Sequence, residues 1–250
     1  MSWILLTLLA AFSQAWRNAF QSRLSKELSV AGVTLSRFIW ASPLALVYLV
    51  TLYSVQPAEL PSISNESIFY ILAASVMQIV ATALMVVLFK QKNFAIGAGL
   101  AKSEASVAAF LGVLFFGTSL SLIGWIGVLL GGVAVLMLSC PSGFRSISLN
   151  TALLGLACST AFALTSLWVR EASLSLSLPF PHRAAWVLFL VIFIQTVMLL
   201  IYLFVRERHT LSKMKKRYRL VAMTSVASFI GSFGWFGAMS LQAVPLVKTL

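Results

Sequence analysis

The chain contains no aspartate, and its six glutamates stand against 18 lysines and arginines. It has two cysteines and two histidines in 250 residues, and only 10% of its residues are charged. Each shortage closes a class. Both histidines, His182 and His209, lie between apolar stretches, so there is no HExxH helix and no serine–histidine–aspartate set. A GxSxG turn and a phosphate-cradling glycine loop are absent as well. The expectation is a protein that is not an enzyme and takes no cofactor and no metal. Cys140 and Cys158 make no disulfide framework and no CxxC pair. They read as small buried apolar residues.

Soluble domains carry about 25% charged residues, so the low charge excludes an ordinary soluble fold. The charges that exist leave uncharged runs over 38–58, 67–89, 105–144, 146–169, 184–205 and 220–247. A membrane-spanning helix needs roughly 20 mostly apolar residues, because about 30 Å of hydrocarbon is crossed at 1.5 Å per residue. Five runs fit one helix each, and 105–144 fits two, broken by "GTSLS" at 117–121. "MSWILLTLLAAF" at the start has no basic segment before it and reads as a first span rather than a cleaved signal. The expected spans are 3–22, 31–51, 67–89, 94–116, 121–139, 149–169, 184–205 and 220–239, with a ninth beginning near 243. The fold class is thus an all-α polytopic membrane protein whose first partner is the lipid bilayer.

The net charge of +12 does not point to nucleic acid, because its placement is that of a membrane protein. Seven of the basic residues lie in "RERHTLSKMKKRYR", 206–219, between two spans. Arg17, Arg23, Lys26, Lys90, Lys92 and Arg145 fall in the other odd connections. The even ones hold only Arg170 and Arg183, with Glu59 and Glu66 in the second. Arg37 sits at the edge of a span. The positive-inside rule then places the odd connections in the cytoplasm and the N-terminus outside, in a multi-pass protein of the cytoplasmic (inner) membrane. Asn65-Glu66-Ser67 matches a glycosylation sequon by accident of composition.

A repeat runs through the chain at an offset of 146 residues. It pairs Arg37 with Arg183, Trp40 with Trp186 and Lys102 with Lys248. Weaker matches such as Ser13 with Ser159 and Met77 with Met223 fall in the same register. The unit holds five spans. Five is odd, so the second copy enters the membrane from the opposite face, which makes an inverted repeat of the kind secondary transporters use. The first five-helix repeat is 1–143. The second, 147–250, stops after the start of its fourth helix, so about 8–9 of an expected 10 transmembrane helices are present.

Polar residues inside apolar runs are the candidate site. A charge in mid-helix costs on the order of 3 kcal/mol by insertion scales, so it faces a cavity or a partner. Lys102 either snorkels to the interface or joins Lys248 across the pseudo-two-fold as an anion-attracting pair. Glu104 either bonds a neighbouring helix or acts as a proton-coupling carboxylate, taking up and releasing a proton as its surroundings change. It has no acidic counterpart, since Leu250 holds that position. Residues two apart on a helix point about 200° from each other, so Lys102 and Glu104 need separate partners. Arg17 is either an interfacial anchor beside Trp16 or a cavity residue together with Gln14, one turn earlier. Trp168 and Trp235 offer flat faces to a substrate, beside ordinary roles in packing or an aromatic belt. Gln78 and Gln195 read as interhelical hydrogen-bond partners. Gly127-xxx-Gly131 and the three-residue glycine spacing of "GSFGWFG", 231–237, read as sites of close helix approach.

Ten short spans in two five-helix repeats, with Arg37 and Arg183 opening the second span of each, resemble the drug/metabolite transporter superfamily, EamA-domain type. "AIGAGLAKSEASVAAFLGVLFFGTSLSLIGWIGVLLGGVAVLML", 95–138, is similar to that domain's fourth and fifth helices. "SLQAVPLVKTL", 240–250, resembles the start of the same feature in the second copy. The resemblance implies export or uptake of small metabolites such as amino acids, amines or aromatic compounds through a cavity between the repeats. It also places Lys102, Ser103, Glu104 and Lys248 on cavity-forming helices. The chain departs from the family where Thr118 follows Gly117, a place where members often carry glutamate, and in the outward N-terminus that its charges favour. The expected function is secondary transport of small organic solutes by alternating access. The expected substrate-binding residues are Lys102, Ser103, Glu104, Lys248, Gln14, Arg17 and Trp235, with proton coupling through Glu104. The alternative is a truncated chain that is transport-incompetent or needs a partner.

Overall fold

The computed structural model describes residues 2–91, 103–117, 119, 121–139 and 148–250. Its regular elements among these residues are all helices: α1 Ser2–Leu24, α2 Val30–Ser36, α3 Ala41–Val55, α4 Asn65–Lys90, α5 Glu104–Phe115, α6 Leu122–Ser139, α7 Leu149–Ser175, α8 His182–Arg206, α9 Arg208–Lys216, α10 Tyr218–Leu241 and α11 Val244–Thr249. Five segments are long and apolar enough to cross a membrane: Val30–Val55, α4, α7, α8 and α10. The chain is a multi-pass, membrane-embedded helical protein. In lipid each backbone N–H and C=O must be satisfied within its own segment, and the helix does this.

Local sequence sets the ends. Ser29, Ser64 and Ser148 cap α2, α4 and α7, their hydroxyls accepting from the amides of Gly32, Ser67 and Thr151. The segment expected as one span over 31–51 is broken at 37–40, where i→i+3 bonds from Arg37 to Thr34 and from Phe38 to Leu35 replace the α-helical pattern. Pro43 in the first turn of α3 has no N–H to donate and crowds the carbonyl four residues back, so the helix restarts here rather than continuing. Gly117 at φ +59 ends the helix before α6, as the "GTSLS" break predicts; Thr118 and Leu120 are outside the described residues. The basic stretch 206–219, expected as a plain loop, contains α9. That helix buries Thr210 and Met214 and turns its lysines outward.

Two antiparallel pairs, α1 with α10 and α4 with α7, make the most extensive packing. Glycine decides how close the first pair comes. A Cβ at Gly234 would fall 2.5 Å from the Leu6 carbonyl oxygen and 2.9 Å from Ala10 Cβ, so the 231–237 glycines act as their spacing predicts. The Gly127-xxx-Gly131 expectation fails. Among the described residues Gly127 has nothing within 4 Å and Gly131 meets Thr249 alone, at 4.0 Å, while Gly132 approaches Ser106.

The connections sort to two ends. At one, Lys90 Nζ donates to Leu28 O (3.0 Å), Thr151 Oγ1 donates to Gln91 Oε1 (3.1 Å), and Arg217 pairs with Glu27 (2.7 Å). At the other, Ser62 meets Ser177, Ser67 meets Ser175, and His182 Nε2 lies 2.7 Å from Gln56 O. The clustered basic residues of 206–219 belong to the first end.

Candidate functional site

A cavity of about 20 Å³ lies among α1, α4, α5, α7, α10, α11 and the turn after α2. That is a little more than one water-sized sphere. Its position follows from where apolar helices carry polar residues. Gln14 and Arg17 are three apart on α1, hence on one face, and both are buried. This polar stripe, continued by Asn18 and Gln21, keeps α1 out of the set of strongly apolar helices although it is 23 residues long.

One chain of contacts crosses five helices. Gln14 Oε1 of α1 accepts from Trp235 Nε1 of α10 at 2.7 Å. Lys248 of α11 sits with Nζ 3.9 Å from the centroid of the Trp235 ring, in cation–π geometry. The same Nζ is 2.7 Å from Glu104 Oε1 of α5, and Ser166 Oγ of α7 donates to that oxygen at 3.0 Å. Glu104 is the first residue of α5, where the helix dipole favours a negative charge. The anion facing Lys248 is therefore the protein's own carboxylate rather than a solute, and Glu104 has the interhelical ion pair weighed for it above.

Two arginines complete the lining. Arg17 (2% exposed) bonds Asn18 Oδ1 through Nε and Nη2 at 3.3 and 3.0 Å. Arg37 (3% exposed) donates from Nη1 to Thr82 Oγ1 at 2.7 Å, and its Nε has no partner among the described residues. Among the described residues neither arginine forms an ion pair with a carboxylate. The interfacial reading of Arg17 gives way to the cavity reading. The exposed neighbour Trp16 alone keeps the lipid-facing place.

The structure thus brings together Gln14, Arg17, Glu104, Trp235 and Lys248 of the expected set. Ser103 is the N-cap of α5 and is not a lining residue. Lys102 lies outside the described residues, and so does Cys140. Cys158 is buried with its thiol directed at Ala81 O (3.3 Å). Trp168 packs edge-on against Phe69, away from the cavity. Gln195 Nε2 donates to Gln78 Oε1 at 2.7 Å across α8 and α4, as expected of both, and Gln78 also lines the cavity. Sequence reasoning missed Arg37, Thr165 and Ser166. Arg37 had a signal, a charge with apolar residues on both sides in register with Arg183. The hydroxyls had none in a chain rich in serine and threonine. Among the described residues no group of three His, Cys, Asp or Glu side chains is placed to hold a metal ion.

Compared with protein-family models and with curated proteins, the chain finds no match. The functional reading rests on its own residues.

Proposed function

We propose that the protein is a secondary transporter of small organic solutes, of the drug/metabolite transporter type, working by alternating access. The observation that carries this is the buried, charged cavity, built at the meeting of both halves of a membrane-embedded helical chain. Ionisable groups in such a place are expensive and mark solute or ion pathways. They sit where inverted-repeat transporters bind, at the interface of the repeats.

The packing supports the repeat reading. The 146-residue register exchanges α1 with α7 and α4 with α10, so each of the two main helix pairs becomes the other. The Cys158–Ala81 contact of α7 and α4 corresponds to Phe12 and Ala227 of α1 and α10, which line one groove. The fourth helices, α5 and α11, meet each other at Glu104 and Lys248. The basic end, by the positive-inside rule, faces the cytoplasm of the inner membrane and leaves the N-terminus outside.

A cavity of about 20 Å³ admits no metabolite. Transport therefore requires the two halves to move apart, breaking contacts such as Glu104–Lys248 that join them. Glu104 is the coupling carboxylate in this scheme. Counterflow in liposomes containing the purified chain, across amino acids and amines, tests the reading. Saturable accumulation that Arg17→Gln abolishes is expected. Accumulation no greater than in protein-free liposomes for every solute rejects it. If Glu104→Gln leaves the pH dependence of transport unchanged, Glu104 is not the coupling group.

A further inference from the structure

We infer that the cavity is a binding site for a small monoanion, on the scale of a halide ion or the carboxylate head of an organic solute, held by Arg37 and Arg17 beside Lys248. Its use in translocation rests on the transporter reading above; the binding geometry does not. Three cations and one carboxylate line the cavity among the described residues. They come from four separate elements: Arg17 from α1, Arg37 from the turn before α3, Lys248 from α11 and Glu104 from α5. Glu104 is committed to Lys248 and accepts from Ser166 on the same oxygen. The charge left over is that of two buried guanidinium groups.

Buried cations without a counter-charge are costly, and proteins keep them where a ligand supplies the charge. The partners they do have are neutral, an amide oxygen for Arg17 and a hydroxyl for Arg37. Among the described residues the Arg37 Nε is a buried donor with nothing to donate to, and a donor in this state costs its full desolvation. A planar guanidinium with free N–H groups matches a carboxylate or a halide and rejects a cation. The amine substrates of the general transporter reading would meet repulsion here. Amino acids and other carboxylates would not. Thr165 and Ser166 on α7 also line the cavity, but their hydroxyl protons go to Ala161 O and Glu104 Oε1, which leaves the guanidinium N–H groups as the donors for an anion.

The test is thermal unfolding of the purified full chain in detergent, in the potassium salt of HEPES, a bulky sulfonate, replaced at constant ionic strength by potassium formate, acetate or chloride. The tetramethylammonium salt of HEPES serves as the cation control. Saturable stabilisation by the small anions and none by the cation is expected. Arg37→Gln should weaken apparent affinity about tenfold or more, the scale of one charge-assisted hydrogen bond. Arg183→Gln, its repeat counterpart bonded to Ser240 outside the cavity, should leave affinity unchanged. If Arg37→Gln does not yield folded protein, Arg37→Lys, which keeps the charge and loses the fork, should also bind more weakly. Stabilisation by formate and acetate alone identifies a carboxylate head, and stabilisation by chloride as well identifies a general monoanion site. Absence of a saturable anion effect, or equal effects in wild type and the Arg37 variants, overturns the proposal. Anion binding without flux in liposomes would leave the site standing and remove the transporter. Flux of neutral or cationic solutes without anion binding would do the reverse.

Discussion

Two glutamates form ion pairs of the same length in this molecule, and their surroundings make them different interactions. Glu104 Oε1 and Lys248 Nζ are 2.7 Å apart with both side chains 9% exposed. Glu27 Oε2 and Arg217 Nε are also 2.7 Å apart, with side chains 48% and 56% exposed. At the basic end, water solvates either partner if the other is lost, so little depends on the pair. In the cavity no solvent replaces the partner. The Glu104–Lys248 pair gains little net energy from being formed, yet breaking it leaves a charge stranded among helices. The contrast locates the polar machinery: distance is common to both pairs, and burial separates structure that can be lost from structure that cannot.

The sharpest way to break the comparison is Glu104→Gln. It leaves three buried cations facing no carboxylate and should cost about 3–5 kcal/mol in stability, read by unfolding in detergent micelles. Adding Lys248→Met should recover much of that loss, and costs that simply add would show that the two do not act as a pair. Next comes Gly234→Val, which drives a side chain into the Leu6 carbonyl oxygen and Ala10. A loss of about 3 kcal/mol is expected, at the upper end for overpacking because backbone has to move. Gly127→Val, with no neighbour within 4 Å among the described residues, should change stability by less than about 0.5 kcal/mol in the same assay. Trp235→Phe removes the donor to Gln14 Oε1 and should cost about 1–2 kcal/mol, the penalty of an orphaned buried acceptor. Smallest among the polar changes is Glu27→Gln, below about 1 kcal/mol. Its effect should vanish near 1 M salt, where the Debye length is about 3 Å. A Glu27→Gln loss as large as that of Glu104→Gln would end the distinction between the two pairs.

The membrane class was readable from charge spacing alone, because hydrocarbon thickness imposes a minimum length on every uncharged run. Gln14, Arg17, Glu104 and Lys248 were readable for the same reason, as polar groups with no cheap place in lipid, and Trp235 as a flat face within a span. Arg37 was misjudged because it stands where a span was expected to begin. The break at 37–40, with Pro43 restarting the helix, carries it into the cavity instead. Thr165 and Ser166 were invisible, since a hydroxyl can return its proton to its own helix backbone and needs no special surroundings to be tolerated.

What the sequence by itself determined is the helical state of the apolar segments. Lipid leaves the backbone no other way to satisfy its hydrogen bonds. Which charges meet was decided only by the tertiary structure. Glu104 and Lys248 lie far apart in the chain. They become partners because α5 and α11 pack together and leave both side chains only 9% exposed.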